Sequence, residues 1–98
     1  MLSIALVTAP HVSAITPLAR EVDAVIQTIN SNKRTLTVTC PQGHCPRELI
    51  WTSQTQFLRN WKLAATAELR RGMSVIIYYH MPIFGKPFLT KLIWFDHH

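Results

Sequence analysis

The stretch Glu21-Val22-Asp23-Ala24-Val25-Ile26-Gln27-Thr28-Ile29-Asn30-Ser31-Asn32-Lys33-Arg34-Thr35-Leu36-Thr37-Val38-Thr39-Cys40 decides the fold. Val22, Ala24 and Ile26 alternate with Asp23, Val25 and Gln27, the period of two that a half-buried strand requires. The next inward candidate, Ile29, follows Ile26 by three residues instead of two. That phase slip predicts a β-bulge, which lets a long first strand bend around a small barrel. Asn30-Ser31-Asn32-Lys33 reads as a hairpin turn, because Asn tolerates the left-handed backbone of a tight turn. Arg34 to Cys40 then forms the second strand, with Leu36, Val38 and Cys40 on one face and threonines on the other.

Outward from this hairpin the chain continues as strands and turn signals. Pro41-Gln42-Gly43-His44-Cys45-Pro46 is a loop bounded by prolines. Arg47 to Thr52 is a third strand with Leu49 and Trp51 on one face. Ser53 to Arg59 is irregular, with Phe57 plugging the core. Thr66 to Gly72 reads as a short helix, capped by Thr66, with Arg70 and Arg71 at the negative end of its dipole and Gly72 as the left-handed residue beyond it. Met73 to His80 is the fourth strand, setting Val75, Ile77 and Tyr79 against Ile76, Tyr78 and His80. Pro82 to Lys86 makes the next connection, and Phe88 to Phe95 is the last strand. Three strands, a short helix and two strands predict an all-β chain, a small five-stranded OB-like barrel with one short helix between strands three and four. Closure of that kind removes exposed sheet edges.

A chain of 98 residues holds one domain, and 48% hydrophobic against 15% charged residues excludes a disordered class. Ten Lys and Arg against five Asp and Glu give a net charge of +5, which attracts polyanions or acidic surfaces without choosing among them. No apolar run approaches the ~18 residues of a membrane span. Upstream of the first charge, Arg20, the run Leu2 to Val7 is followed by Pro10 and by Val12-Ser13-Ala14, a small-x-small ending. Residues 1–14 therefore read as the end of a secretory signal peptide whose basic region is encoded before Met1, the alternative being a loose apolar tail, and 15–98 as a single OB-like domain. The expected location is periplasmic or secreted.

Val22-x-Ala24-x-Ile26-x-x-Ile29-Asn30, Thr35-Leu36-Thr37-Val38, Thr55-x-Phe57, Ala67-x-Leu69-x-x-Gly72-x-x-Val75, and Gly85 with Thr90-Lys91-Leu92 resemble a family of exported bacterial OB-like domains of unknown function. Ala24 stands where that family often has glycine, and Asn30 where it often has aspartate. The resemblance spans residues 22–93 and implies a signal peptide followed by a small five-stranded barrel; it implies no activity. A fainter similarity is to periplasmic copper- and silver-binding chaperones. Their Met-x-Met pair is missing here, so their metal-binding residues do not carry over.

Three readings of chemistry follow from the residues. Cys40, His44 and Cys45 are the metal candidates, since two thiolates and an imidazole suit copper or zinc. The same two cysteines suit a disulfide in an oxidising compartment, or unreactive thiols. Trp61, Tyr78, Arg59 and Lys62 are the candidates for a nucleic-acid or ligand surface, as aromatic and basic side chains of OB folds stack on single strands; Trp51 and Tyr79 fall on inward phases and are expected to pack. Glu21 and Asp23 are the closest pair of acids, and no serine sits in a nucleophile elbow or a phosphate loop. The chain is thus expected to be a non-enzymatic exported binding or assembly module of the bacterial envelope, without a cofactor, meeting an unknown envelope protein or small ligand. The alternatives are a soft-metal-binding protein using the Cys40-His44-Cys45 loop and a single-stranded nucleic-acid-binding OB domain.

Overall fold

The computed structural model describes residues 19–96. The signal-peptide reading of residues 1–14 lies outside them. The described chain is all-β. Strands β1 (Arg20–Asn30), β2 (Thr35–Thr39), β3 (Glu48–Ile50), β4 (Gln56–Arg59), β5 (Lys62–Leu63), β6 (Ser74–His80) and β7 (Phe88–Trp94) form one sheet in the order β3-β2-β1-β6-β7-β4-β5.

β1 is the backbone of this sheet. It pairs antiparallel with β6 through its first half, Arg20 to Val25, and antiparallel with β2 from Val25 to Asn30. The expected bulge is present: the β1–β2 register passes from Ile26 opposite Val38 to Thr28 opposite Thr37, leaving Gln27 as the extra residue. In the following turn the left-handed residue is Arg34, at φ 54°, whereas the sequence had pointed to an asparagine. Asn30 serves the turn differently, its Oδ1 accepting the Lys33 amide at 3.1 Å.

The third strand differs most from expectation. In place of one strand and an irregular tail, β3 and β4 both run parallel along the same side of β7. β3 meets β7 at a single pair, Ile50 with Phe88, and β4 pairs from Gln56–Lys91 to Arg59–Trp94. Between them, threonine hydroxyls take over backbone bonding. The Thr52 amide donates to Thr55 Oγ1 at 3.0 Å, and Thr55 Oγ1 donates to the Leu89 carbonyl at 2.6 Å. Five predicted strands therefore become seven, and because β3 touches β7 at one pair only, the curled sheet is not a clean barrel.

No α-helix stands between the third and fourth predicted strands. Thr66–Glu68 makes a single 3₁₀ turn, preceded by Ala65 and ended at Leu69, whose backbone is extended at ψ 143°. Two forces stop it there. Leu69 is buried in the core, and the chain beyond is captured by β1, with Gly72 N donating to Ile26 O at 2.8 Å and Ile26 N to Met73 O at 3.0 Å. Fewer than two helical turns cannot offset nucleation against that pull. Gly72 is left-handed as expected, at φ 90°, but in the turn that leads into β6.

The inward phases of β1, β2, β3 and β6 are those the alternation predicted. Ile26, Leu36, Val38, Leu49, Ile77, Leu89 and Leu92 are fully buried, and Trp51 meets Phe57 edge to face with centroids 5.7 Å apart. Among the described residues no buried side-chain nitrogen or oxygen lacks a hydrogen-bond partner, and no helix is long and apolar enough to cross a membrane.

Candidate binding surface

The β4–β5 hairpin turns through Asn60 and Trp61, at φ 52° and 69°. A two-residue turn of this kind needs positive φ at both positions, and Asn-Gly is its usual sequence. Asn60 fits. Trp61 does not, since a left-handed backbone costs a side-chain-bearing residue about 1–2 kcal/mol. The indole is 61% exposed and rests edge-on against Phe95, itself 40% exposed, with centroids 6.0 Å apart. A strained, exposed aromatic on a rigid hairpin points to function more than to packing.

Beneath it Arg59 is fixed by two carboxylates. Its Nη1 lies 3.0 Å from Glu68 Oε1 and its Nη2 2.7 Å from Asp96 Oδ2. The Asp96 hydrogen bond and charge, and then Glu68, hold the guanidinium above its ordinary pKa. Glu68 in turn accepts the Ala65 amide through Oε2 at 3.3 Å, so the 3₁₀ turn is tied to the hairpin. Arg59, Trp61 and exposed Lys62 are thus gathered at one tip.

Tyr78 is not part of that tip. It sits on β6 between Glu21 and Lys91, while Arg59 pairs further along, with Trp94. Lys91 Nζ lies 5.1 Å from the Tyr78 ring centre, covering a face that a base would stack on. Desolvation first, and the Glu21 carboxylate second, push the Tyr78 phenol above its ordinary pKa. The four residues read together from the sequence therefore separate into a cluster of three and an isolated tyrosine.

Cys40 and Cys45 form a disulfide with Cα atoms 6.1 Å apart. Both pack partly against the core, and His44 between them is exposed. The sulfurs of a bridged pair are not thiolates and hold no soft metal in that state. Among the described residues no three His, Cys, Asp or Glu side chains are grouped to hold a metal ion.

The β6–β7 connection carries side chains that alternation could not find. Ile83 and Phe84 are 92% and 89% exposed between Pro82 and Gly85, the latter at φ 96°. The only signal was the Pro-Ile-Phe-Gly run itself, two large apolar residues inside a turn signature. No protein-family model matches the chain, and neither a curated protein nor a solved structure is significantly similar to it.

Proposed function

We propose that this chain is a non-enzymatic, exported binding or assembly module of the bacterial envelope, built on a small OB-like barrel, and that the Trp61 tip is its contact surface. The ring of pairings from β1 through β2, β3, β7 and β6 back to β1 supports the barrel reading. The Cys40–Cys45 bridge supports an oxidising compartment. Glu48, Glu68 and Asp96, three of the five acids, are engaged in ion pairs, which favours a structural role over acid–base chemistry. The observation that carries the proposal is Trp61, kept exposed in a backbone conformation that disfavours it.

A photo-cross-linking amino acid at position 61, expressed in intact cells with its native upstream sequence, tests this. The expected product is one discrete envelope-fraction adduct that is missing when the same group stands at exposed Lys33. Cytosolic retention of the protein, or equal labelling from both positions, overturns the proposal. The nucleic-acid reading separates in a fluorescence titration with a short oligonucleotide. Binding is expected to be weak and lost at physiological salt, because a charge of +5 acts through counterion release; tight, salt-resistant binding would make the tip a stacking platform for single strands.

A further inference from the structure

Ile83 and Phe84 lie at the opposite end of β7 from Trp61, roughly 23 Å away at the rise of an extended strand, since the loop precedes Phe88 and the Trp61–Phe95 pair follows Trp94. They are the two most exposed large apolar side chains of the described residues, and half-exposed Met81 stands beside them. Their connection is held firmly at its base. His80 stacks on Phe88 with centroids 5.3 Å apart, Ile50 N donates to Pro87 O at 3.1 Å, and Lys86 Nζ reaches Glu48 Oε1 at 2.9 Å. The tip is therefore presented by a supported loop, with the apolar pair at its summit.

The surroundings of this summit are basic. Arg20, opposite Tyr79 at the far end of β6, lines with His44, Cys45, Pro46, Tyr79 and Met81 a cleft of about 320 Å³ below the loop. Arg47 borders the other side of the disulfide loop, next to Glu48, whose charge is met by Lys86 on the connection itself. Large apolar side chains projecting beyond Arg20 and Arg47 match the layered chemistry of an anionic bilayer, acyl chains beneath negative headgroups. A protein groove would satisfy the apolar pair but gives no account of the two arginines.

We propose that the Ile83–Phe84 loop inserts into the headgroup region of an anionic phospholipid bilayer, with Arg20 and Arg47 against the lipid phosphates. The loop stands on its own side chains at the other end of β7 from the Trp61 tip, so vesicle binding and cross-linking from position 61 succeed or fail separately.

The test is sedimentation with vesicles of equimolar phosphatidylethanolamine and phosphatidylglycerol, against vesicles of phosphatidylcholine alone. The wild-type chain is expected to sediment with the anionic vesicles, less so at high salt, and to remain in solution with the neutral ones. Ile83→Ser with Phe84→Ser lowers anionic-vesicle binding by about tenfold or more, the scale of two lost apolar burials. Both positions are solvent-exposed, so near-ultraviolet circular dichroism of this variant matches wild type. In a second variant, Phe84→Trp, brominated lipid quenches the fluorescence of the added indole. Failure to bind anionic vesicles, binding undiminished in the double variant, or no quenching of that added indole overturns the proposal. Dimerisation by light scattering that depends on Ile83 and Phe84, without vesicle binding, overturns it in favour of a second copy of this chain.

Discussion

Arg59 grips Asp96 twice through the same oxygen, Nε at 2.8 Å and Nη2 at 2.7 Å from Oδ2. Asn60 completes the clasp, its Oδ1 accepting the Asp96 amide at 3.2 Å and its Nδ2 donating to Oδ2 at 3.3 Å. The end of β4 is thereby fastened to the residues after β7, directly beneath Trp61. Arg59→Ala is expected to speed amide hydrogen exchange at Asn60 and Lys62 while leaving exchange in β1 unchanged. Uniform protection in both segments would show the clasp to be ornamental.

Trp61 makes a sharper prediction, because strain and packing oppose each other there. Glycine accepts the left-handed backbone freely and alanine does not. Trp61→Gly is therefore expected to be more stable than Trp61→Ala by about 1 kcal/mol in urea denaturation, and at least as stable as wild type once the loss of one exposed aromatic pair is offset. A large loss of stability in the glycine variant would make Trp61 a structural residue.

The disulfide closes a short loop, so its effect on the unfolded chain is modest. Reduction, or Cys40→Ser with Cys45→Ser, is expected to lower the unfolding free energy by about 2 kcal/mol, read as a lowered urea midpoint. Mass spectrometry after alkylation of protein from its native compartment should find no free thiol. Two alkylated cysteines together with bound copper or zinc would turn the loop into a metal site.

Glu48 gives the pH dependence. Its hydrogen bond to Lys86, then the Lys86 charge, hold the carboxyl below its ordinary value, with slight desolvation opposing and Lys33 adding to the lowering. A carboxyl depressed by folding contributes stability that is complete above the ordinary glutamate range and is lost as pH falls through its lowered value. Nuclear magnetic resonance titration should place the Glu48 midpoint below that of a Lys86→Met variant, and the protection of amides in residues 81–87, relative to their intrinsic exchange rates, should fall in acid. Identical midpoints would refute the pairing.

The core provides the contrast for the exposed loop. Leu92 is fully buried in the middle of β7, and Leu92→Ala is expected to cost 2–5 kcal/mol, roughly the range for a truncated core leucine. Ile83→Ser should change stability by no more than about 0.5 kcal/mol. Comparable losses at both positions would mean that the β6–β7 loop packs onto the protein.

Where one face is buried and the other wet, the sequence carries the structure openly. Val22, Ala24 and Ile26 announced their face, and the three-residue step to Ile29 announced the bulge. The pattern failed where side chains replaced backbone pairing. Nothing in Thr52-Ser53-Gln54-Thr55 signals that hydroxyls will bridge a broken strand to Leu89, so β4 passed as irregular chain and β5 went unmarked. Helical signs from Thr66 to Gly72 were locally sound, but the burial of Leu69 and the hold of β1 on Gly72 and Met73 are long-range and leave no local mark. At the surface, Trp61, Arg59 and Lys62 were named from the interleaving of aromatic and basic residues, but the hairpin that gathers them left no local signal. Tyr78 was misgrouped because only the strand register reveals Lys91 over its ring.

The single flank of β7 that receives both β3 and β4 has a consequence for how the chain assembles. Ribosomes deliver β3 and β4 well before β7, and a long stretch of chain separates the partners Ile50 and Phe88, and likewise Gln56 and Lys91. Until β7 arrives, the β1–β2 hairpin can form, but the unpaired amides and carbonyls along β3 and β4 stay open to any passing strand. Parallel pairings of such long sequence separation are the slow ones. The nascent chain therefore passes through a stage in which its stickiest margin is finished and its cover is not.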